Sequence, residues 1–180
     1  LMVGAAHAED AKIGILLGLT GPLETITPGM ASGAELAISE VNASGKFLGG
    51  GTVTSVRGDS TCVDAAAATS AAERLVTVEK INGLMGADCS GVTGSVLQNV
   101  ARPNGLGMIA PSATSPGLST AETDGLFFRT APSDARQGEI IADVLTERGV
   151  KSIAVSYTNN DYGKGLSDSI EAAFKAKGGV

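Results

Sequence analysis

Short apolar runs alternate along this chain with stretches in which apolar residues return at helical spacing. Lys12-Ile13-Gly14-Ile15-Leu16-Leu17-Gly18 reads as a buried strand, and a turn follows at Gly21-Pro22. Met30, Ala34, Ala37, Ile38 and Val41 then mark one face of a helix that Asn42, Ser44 and Gly45 end. A strand is predicted near residues 52–56, and a helix over residues 64–80 with Asp64 as its N-cap. Residues 81–87 form a glycine-spaced apolar strand. A helix over 92–102 is broken by Pro103-Asn104-Gly105, a strand follows at 106–110, and residues 126–129 are short and β-prone. Ile140, Ile141, Val144 and Leu145 mark a further helix, residues 152–156 a strand, and Leu166, Ile170, Ala173 and Phe174 a last helix. Lys175 and Lys177 fall near its carboxyl end, where cations are favoured.

Strands alternating with helices predict an α/β fold built of parallel β-α-β units with right-handed crossovers. Parallel strands covered on both faces are continuously apolar, as the first strand is. Ligands of such sheets sit beyond the carboxyl ends of the strands. The loops to search are therefore residues 19–28, 59–63, 88–93, 111–116 and 157–165.

Composition narrows the chemistry. The one histidine, His7, lies near the start, so the rest of the chain has no imidazole for general-base catalysis or metal ligation. No enzymatic activity and no metal or other cofactor is expected. G-x-S-x-G is absent, and Gly18-Leu19-Thr20-Gly21-Pro22 lacks the lysine of a phosphate-binding loop. The net charge of −6, with no basic stripe and no tryptophan, argues against nucleic acid as a partner. Ala6-His7-Ala8 has the form of a signal-peptide cleavage site, so residues 1–8 read as the remnant of a secretory leader, with cleavage before Glu9. No later run is long and apolar enough to span a membrane, so stable membrane insertion is not expected. Cys62 and Cys89 are the only cysteines, and an exported protein permits them to pair; two free buried thiols are the alternative. Both follow predicted strands, and neighbouring strands would set their loops side by side.

Two hydroxyl-rich loops follow strands. Asp88-Cys89-Ser90-Gly91-Val92-Thr93 opens a helix, whose free N–H groups favour an anion. Pro111-Ser112-Ala113-Thr114-Ser115-Pro116 is the second. Together they could hold a carboxylate without a cationic side chain, although Ser and Thr in such loops also serve as caps and turn formers. Asp134 reads either as a helix cap or as an acceptor for a ligand cation. Tyr162, in Asn159-Asn160-Asp161-Tyr162-Gly163, could wall a ligand or pack at a helix start.

Taken together, these motifs resemble the periplasmic solute-binding proteins of branched-chain amino-acid ABC transporters, with a type I periplasmic binding fold. The similarity is carried by Leu19-Thr20-Gly21-Pro22, Gly33-Ala34-Glu35, Asn42-Ala43-Ser44-Gly45, the Asp59, Cys62 and Cys89-Ser90 set, Ile109 through Pro116, Phe128-Arg129-Thr130, Ser133-Asp134, Gln137-Gly138 and Asp161-Tyr162-Gly163-Lys164-Gly165. The resemblance implies two α/β lobes that close on a ligand. It implies that Ser90, the backbone at Ser112 and Ala113, and Thr114 hold an α-carboxylate and its polar neighbours, that Asp134 pairs with an ammonium, and that Tyr162 closes over the ligand from the opposite lobe. It also implies a Cys62–Cys89 disulfide. Ile26 stands where many relatives carry an aromatic, and Gly91 replaces a hydroxyl residue common after the serine; both bear on which side chain is accepted.

On this reading residues 9–133 are the first segment of lobe one and residues 134–180 the beginning of lobe two, a fragment expected to bind weakly by itself. The implied function is periplasmic capture of a small amino acid, branched-chain or similar, for delivery to an ABC permease in the inner membrane. The alternatives are a ligand-sensing module on the same fold, or a binder of an amine-free carboxylate such as an aromatic acid.

Overall fold

The computed structural model describes residues 9–180, so the expected leader remnant at 1–8, including His7, lies outside the described residues. Strand β1 (Ala11–Leu17) organises the fold because its alternating side chains serve two layers. Ile15 and Leu17 pack with Ala31 of helix α1 (Thr27–Ser44) on one face. Leu16 points to the other face, toward α2 (Ala65–Thr77) and α3 (Ser90–Val96), where Ala68, Ala72, Leu75, Val92 and Val96 form the larger core. Leu84 of β3 (Gly83–Gly86) and Met108 of β4 (Met108–Ala110) complete that core.

With β2 (Val53–Asp59) and β5 (Phe127–Arg129), the strands form one fully parallel sheet in the order β2-β1-β3-β4-β5. The winding reverses between β1 and β3, which makes the carboxyl edge there the place for a ligand. The expectation of strands covered on both faces holds for β1 but not for β4 and β5. Ile109 and Phe128 are 48% and 60% exposed on the face that α1 leaves uncovered.

Several expected elements shift. Helix α1 begins at Thr27, with Thr27 and Ala31 its buried residues; Val41, assigned to the apolar face, is exposed. Asp64 caps α2 as expected, accepting from the N–H groups of Ala66 and Ala67. Helix α3 starts at Ser90 and continues through one wider turn, Leu97–Ala101. A four-residue helix, α4 (Gly117–Thr120), was not legible, because its single turn has no apolar period. Helix α5 (Asp134–Glu147) is capped by Ser133, whose side chain accepts from Ala135 N; Asp134 is its first residue rather than its cap. Residues 152–156 are not a strand. A strand is maintained by a ladder, and the chain there makes bonds only through Lys151 and Ile153 to Val180. Helix α6 (Asp161–Ala176) packs along α5, burying Phe174 and Ala142, and Lys177 pairs with Asp143 at 2.5 Å.

Cys62 and Cys89 form a disulfide. Their loops are not on neighbouring strands, as expected from sequence, because β1 lies between β2 and β3. The bridge therefore passes over the carboxyl end of β1. It closes 27 positions, which corresponds to about 3.5 kcal/mol of lost unfolded-state entropy. Reducing the pair, or replacing both cysteines by alanine, is expected to lower the melting temperature by about 10 °C, read by differential scanning calorimetry with and without dithiothreitol.

Candidate ligand-binding site

The carboxyl edge of the sheet is held by two aspartates, Asp59 at the end of β2 and Asp88 just after β3, on either side of β1. Asp88, 2% exposed, accepts from Gly18 N at 3.0 Å and from Ser60 Oγ at 2.9 Å, tying the ends of β1, β2 and β3 together. Gly18 has to be small: a Cβ there would lie 3.0 Å from Asp88 Oδ2 and 3.2 Å from Cys62 Cβ. Asp59 accepts from Leu19 N at 3.0 Å, Thr20 N at 3.3 Å, Thr61 N at 2.8 Å and Thr20 Oγ1 at 2.6 Å. Burial by itself raises the Asp59 carboxyl, but the bonds from Thr20, Thr61 and Leu19 outweigh it and hold the group below its ordinary range.

The two hydroxyl loops, which follow the adjacent strands β3 and β4, interlock. Ser90, 4% exposed, accepts from Ser115 N at 3.1 Å. Ser112 Oγ donates to Asp88 O at 2.9 Å. Thr114 Oγ1 donates to Asp134 Oδ2 at 2.7 Å, and Asp134 N donates back to Thr114 O at 2.9 Å. Arg129, at the end of β5, donates to the carbonyls of Ala113 at 3.3 Å and Ser115 at 2.9 Å, and to Ser119 Oγ. The carbonyls of Ala113, Thr114 and Ser115 are thereby engaged. Among the described residues, the N–H groups of Ser112, Ala113 and Thr114 have no acceptor.

An open groove of about 870 Å³ runs between this edge and α6. Ser90, Gly91, Gly94, Ser115 and Pro116 line one wall; Asp161, Lys164 and Gly165 line the other. Gly165 allows the close approach, since a Cβ there would lie 2.8 Å from Pro116 Cδ and 3.0 Å from Ser115 Oγ. Of the expected contacts, the groove brings together Ser90 and Gly91. Ser112, Ala113 and Thr114 do not line the groove; they belong to the loop whose Ser115 N donates to Ser90, and Asp134, 2% exposed, stands behind Thr114. Ile26 precedes α1 and is 58% exposed; Tyr162, in the first turn of α6, is 45% exposed; neither lines the groove. Sequence reading missed Arg129, Ser115 and Asp88 as organisers. Asp88 and Ser115 sat within the loops already singled out, but their roles depend on strand order.

The comparisons agree with this architecture. The family profile described as "Periplasmic binding protein" matches residues 10–180. A "Leu/Ile/Val-binding protein homolog 3" from Brucella melitensis is 34% identical, over 98% of this chain and 46% of its own length. The solved substrate-binding protein of a branched-chain amino-acid transporter from Streptococcus pneumoniae, in complex with isoleucine, superposes with a TM-score of 0.81 at 31% identity, over 93% of this chain and 47% of that one. A solute-binding protein from R. palustris, in complex with 4-hydroxybenzoate, superposes with a TM-score of 0.82 at 20% identity, over 95% of this chain and 45% of that one, and shows likeness of fold alone. The chain spans about half the length of the curated relatives it matches.

A carboxyl held below its ordinary range stabilises the fold fully above that range, and the contribution fades as pH falls through the lowered value. Asp59→Asn is therefore expected to destabilise the protein by about 1 kcal/mol at pH 7. The gap in melting temperature between wild type and variant should be full above the ordinary carboxylate range and shrink as pH falls through and below it, followed by thermal unfolding across an acid pH series.

Proposed function

Because the chain belongs to the periplasmic binding protein family, we propose that it is the amino-terminal part of the solute receptor of an ABC importer, a non-enzymatic protein that captures a small amino acid and delivers it to an inner-membrane permease. The names of its relatives support an amino acid as the ligand, branched-chain or similar. In this reading residues 9–133 belong to one lobe and residues 134–180 begin a second. A ligand touching both would favour the closed state by population shift. The Cys62–Cys89 disulfide suits a periplasmic location, where such bonds persist.

The observation that carries the proposal is the opposite polarity of two hydroxyls. Ser90 Oγ accepts from Ser115 N, so its own O–H remains free to donate to a carboxylate. Thr114 Oγ1 gives its proton to Asp134, so it presents lone pairs to a donor. A carboxylate beside an ammonium is the ligand group that such a pair complements. The free N–H groups of Ser112, Ala113 and Thr114 add donors for the carboxylate. Asp134 serves the ammonium from one hydrogen bond behind Thr114, placing negative charge there without being exposed. Tyr162 and Ile26 stand outside the groove in this structure and would meet the ligand's side chain only on closure of the lobes, whereas Gly91 lines the groove and leaves room beside the head group. An amine-free acid would leave Thr114 and Asp134 without the cation they are set to meet.

Thermal-shift screening of the full-length protein against the common amino acids, benzoate and 4-hydroxybenzoate tests the proposal. Stabilisation by amino acids alone is expected. Ser90→Ala should weaken amino-acid binding about 10- to 100-fold in titration calorimetry, the effect of a lost hydrogen bond to a charged group. Asp134→Asn should abolish it. Stabilisation by the amine-free acids instead, or unchanged affinity in Asp134→Asn, would remove the amino-acid reading.

A further inference from the structure

In the segment Asn160-Asp161-Tyr162 it is the aspartate, not the tyrosine, that lines the groove. A Cβ on Gly91 would lie 3.5 Å from Asp161 Oδ2 and 3.8 Å from Asp161 Cγ. The carboxylate is thus set over the backbone of the residue next to Ser90. Three charged residues line the groove, and two of them cancel, since Lys164 Nζ pairs with Asp168 Oδ2 at 2.5 Å. Asp161 has no ion pair or side-chain hydrogen bond among the described residues. The facing wall is neutral, with Ser90, Ser95, Gln98 and Asn99 as its polar members. The position of Asp161 is held by the start of α6, where Asn160 Oδ1 accepts from Gly163 N at 2.8 Å, and by the seating of Gly165 against Ser115.

We propose that Asp161 is a specificity-determining residue of this site, a charge filter that admits ligands with a cationic group beside their carboxylate and rejects those with a second carboxylate. The inference rests on the reading of the hydroxyl loops as a head-group site. An uncompensated carboxylate facing a neutral wall repels any further anion brought into the groove, and it offers an acceptor to an ammonium or other donor. Gly91 is part of the device. A serine at that position would place a hydroxyl within reach of Asp161 and satisfy it, whereas glycine leaves the charge unshared.

Titration calorimetry of the full-length protein with L-leucine and L-glutamate tests the filter. The wild type should bind leucine and discriminate against glutamate, and the discrimination should shrink as salt is raised, because a charge in an open groove is screened. Asp161→Asn should narrow the leucine-to-glutamate ratio about tenfold at low salt and remove its salt dependence. Gly91→Ser should narrow the ratio in the same direction without altering α6. If leucine still binds and the ratio is unchanged in both variants, or glutamate remains excluded from both, the filter is overturned and the head-group reading stands. An equal loss of both ligands in Asp161→Asn would also overturn it, since a carboxylate that only steadies the first turn of α6 has no reason to distinguish them. Failure of the wild type to bind any of the common amino acids would overturn the head-group reading and the filter together.

Discussion

The loops that follow β2 and β3 have to meet above the end of a strand that lies between them. Strand β1 ends between those two loops, and the N–H of Gly18 just beyond it would otherwise face a buried space with nothing to accept it. Asp88 supplies the acceptor for Gly18, and its other oxygen takes the hydroxyl of Ser60. The disulfide closes over the same point, and Gly18 is the residue small enough to lie beneath it. A buried carboxylate tolerates enclosure when its oxygens are satisfied, and here the satisfaction itself fixes the relative height of three strand ends. The hydroxyl loops stand on that base, because Ser112 is bonded to the carbonyl of Asp88 itself.

From this base the polarity of the site follows step by step. The hydroxyls of Ser90 and Thr114 each already have one bond, and that bond determines what each can offer a ligand. Ser90 is left a donor and Thr114 an acceptor, not by their chemical type but by the partners that the fold assigns them. Arg129 contributes indirectly. By drawing the carbonyls of Ala113 and Ser115 toward itself, it leaves the amide edge of the loop as the side available to an anion. On the proposed reading, a guanidinium thus prepares an anion site without entering it.

Across the groove, the α5–α6 pair brings a different kind of control. Its approach is set by Gly165 against Ser115 and Pro116, where a side chain would hold the helices apart. The same approach sets the free carboxylate of Asp161 opposite Gly91, while Lys164 and Asp168 neutralise each other one turn along. Recognition of a head group by neutral hydroxyls and amides is generous toward many ligands, and a single unshared charge on the opposite wall is an economical way to restrict them.

Much of this was legible in the chain. Apolar runs separated by helical periods determined a parallel α/β sheet, because strands covered on both sides need continuous apolar residues and helices need only one apolar face. The post-strand position of Ser90 and Thr114 pointed to the sheet edge where we propose the ligand binds, and Asp64 announced the start of α2 through its own side-chain chemistry. Other features depend on contacts between distant segments. The order of strands put β1 between the two cysteines, a strand-like run at 152–156 lacked a ladder to join, and the uncovered face at Ile109 and Phe128 followed from where α1 happens to lie. The identity of Ser133 as cap and Asp134 as partner of Thr114 needed coordinates too, since either residue could have taken either part. Local sequence determined which residues could donate, accept or carry charge. Only the tertiary structure decided which of those capacities were consumed internally and which remained for a ligand, because a hydrogen bond is used up by whichever partner the fold brings within reach.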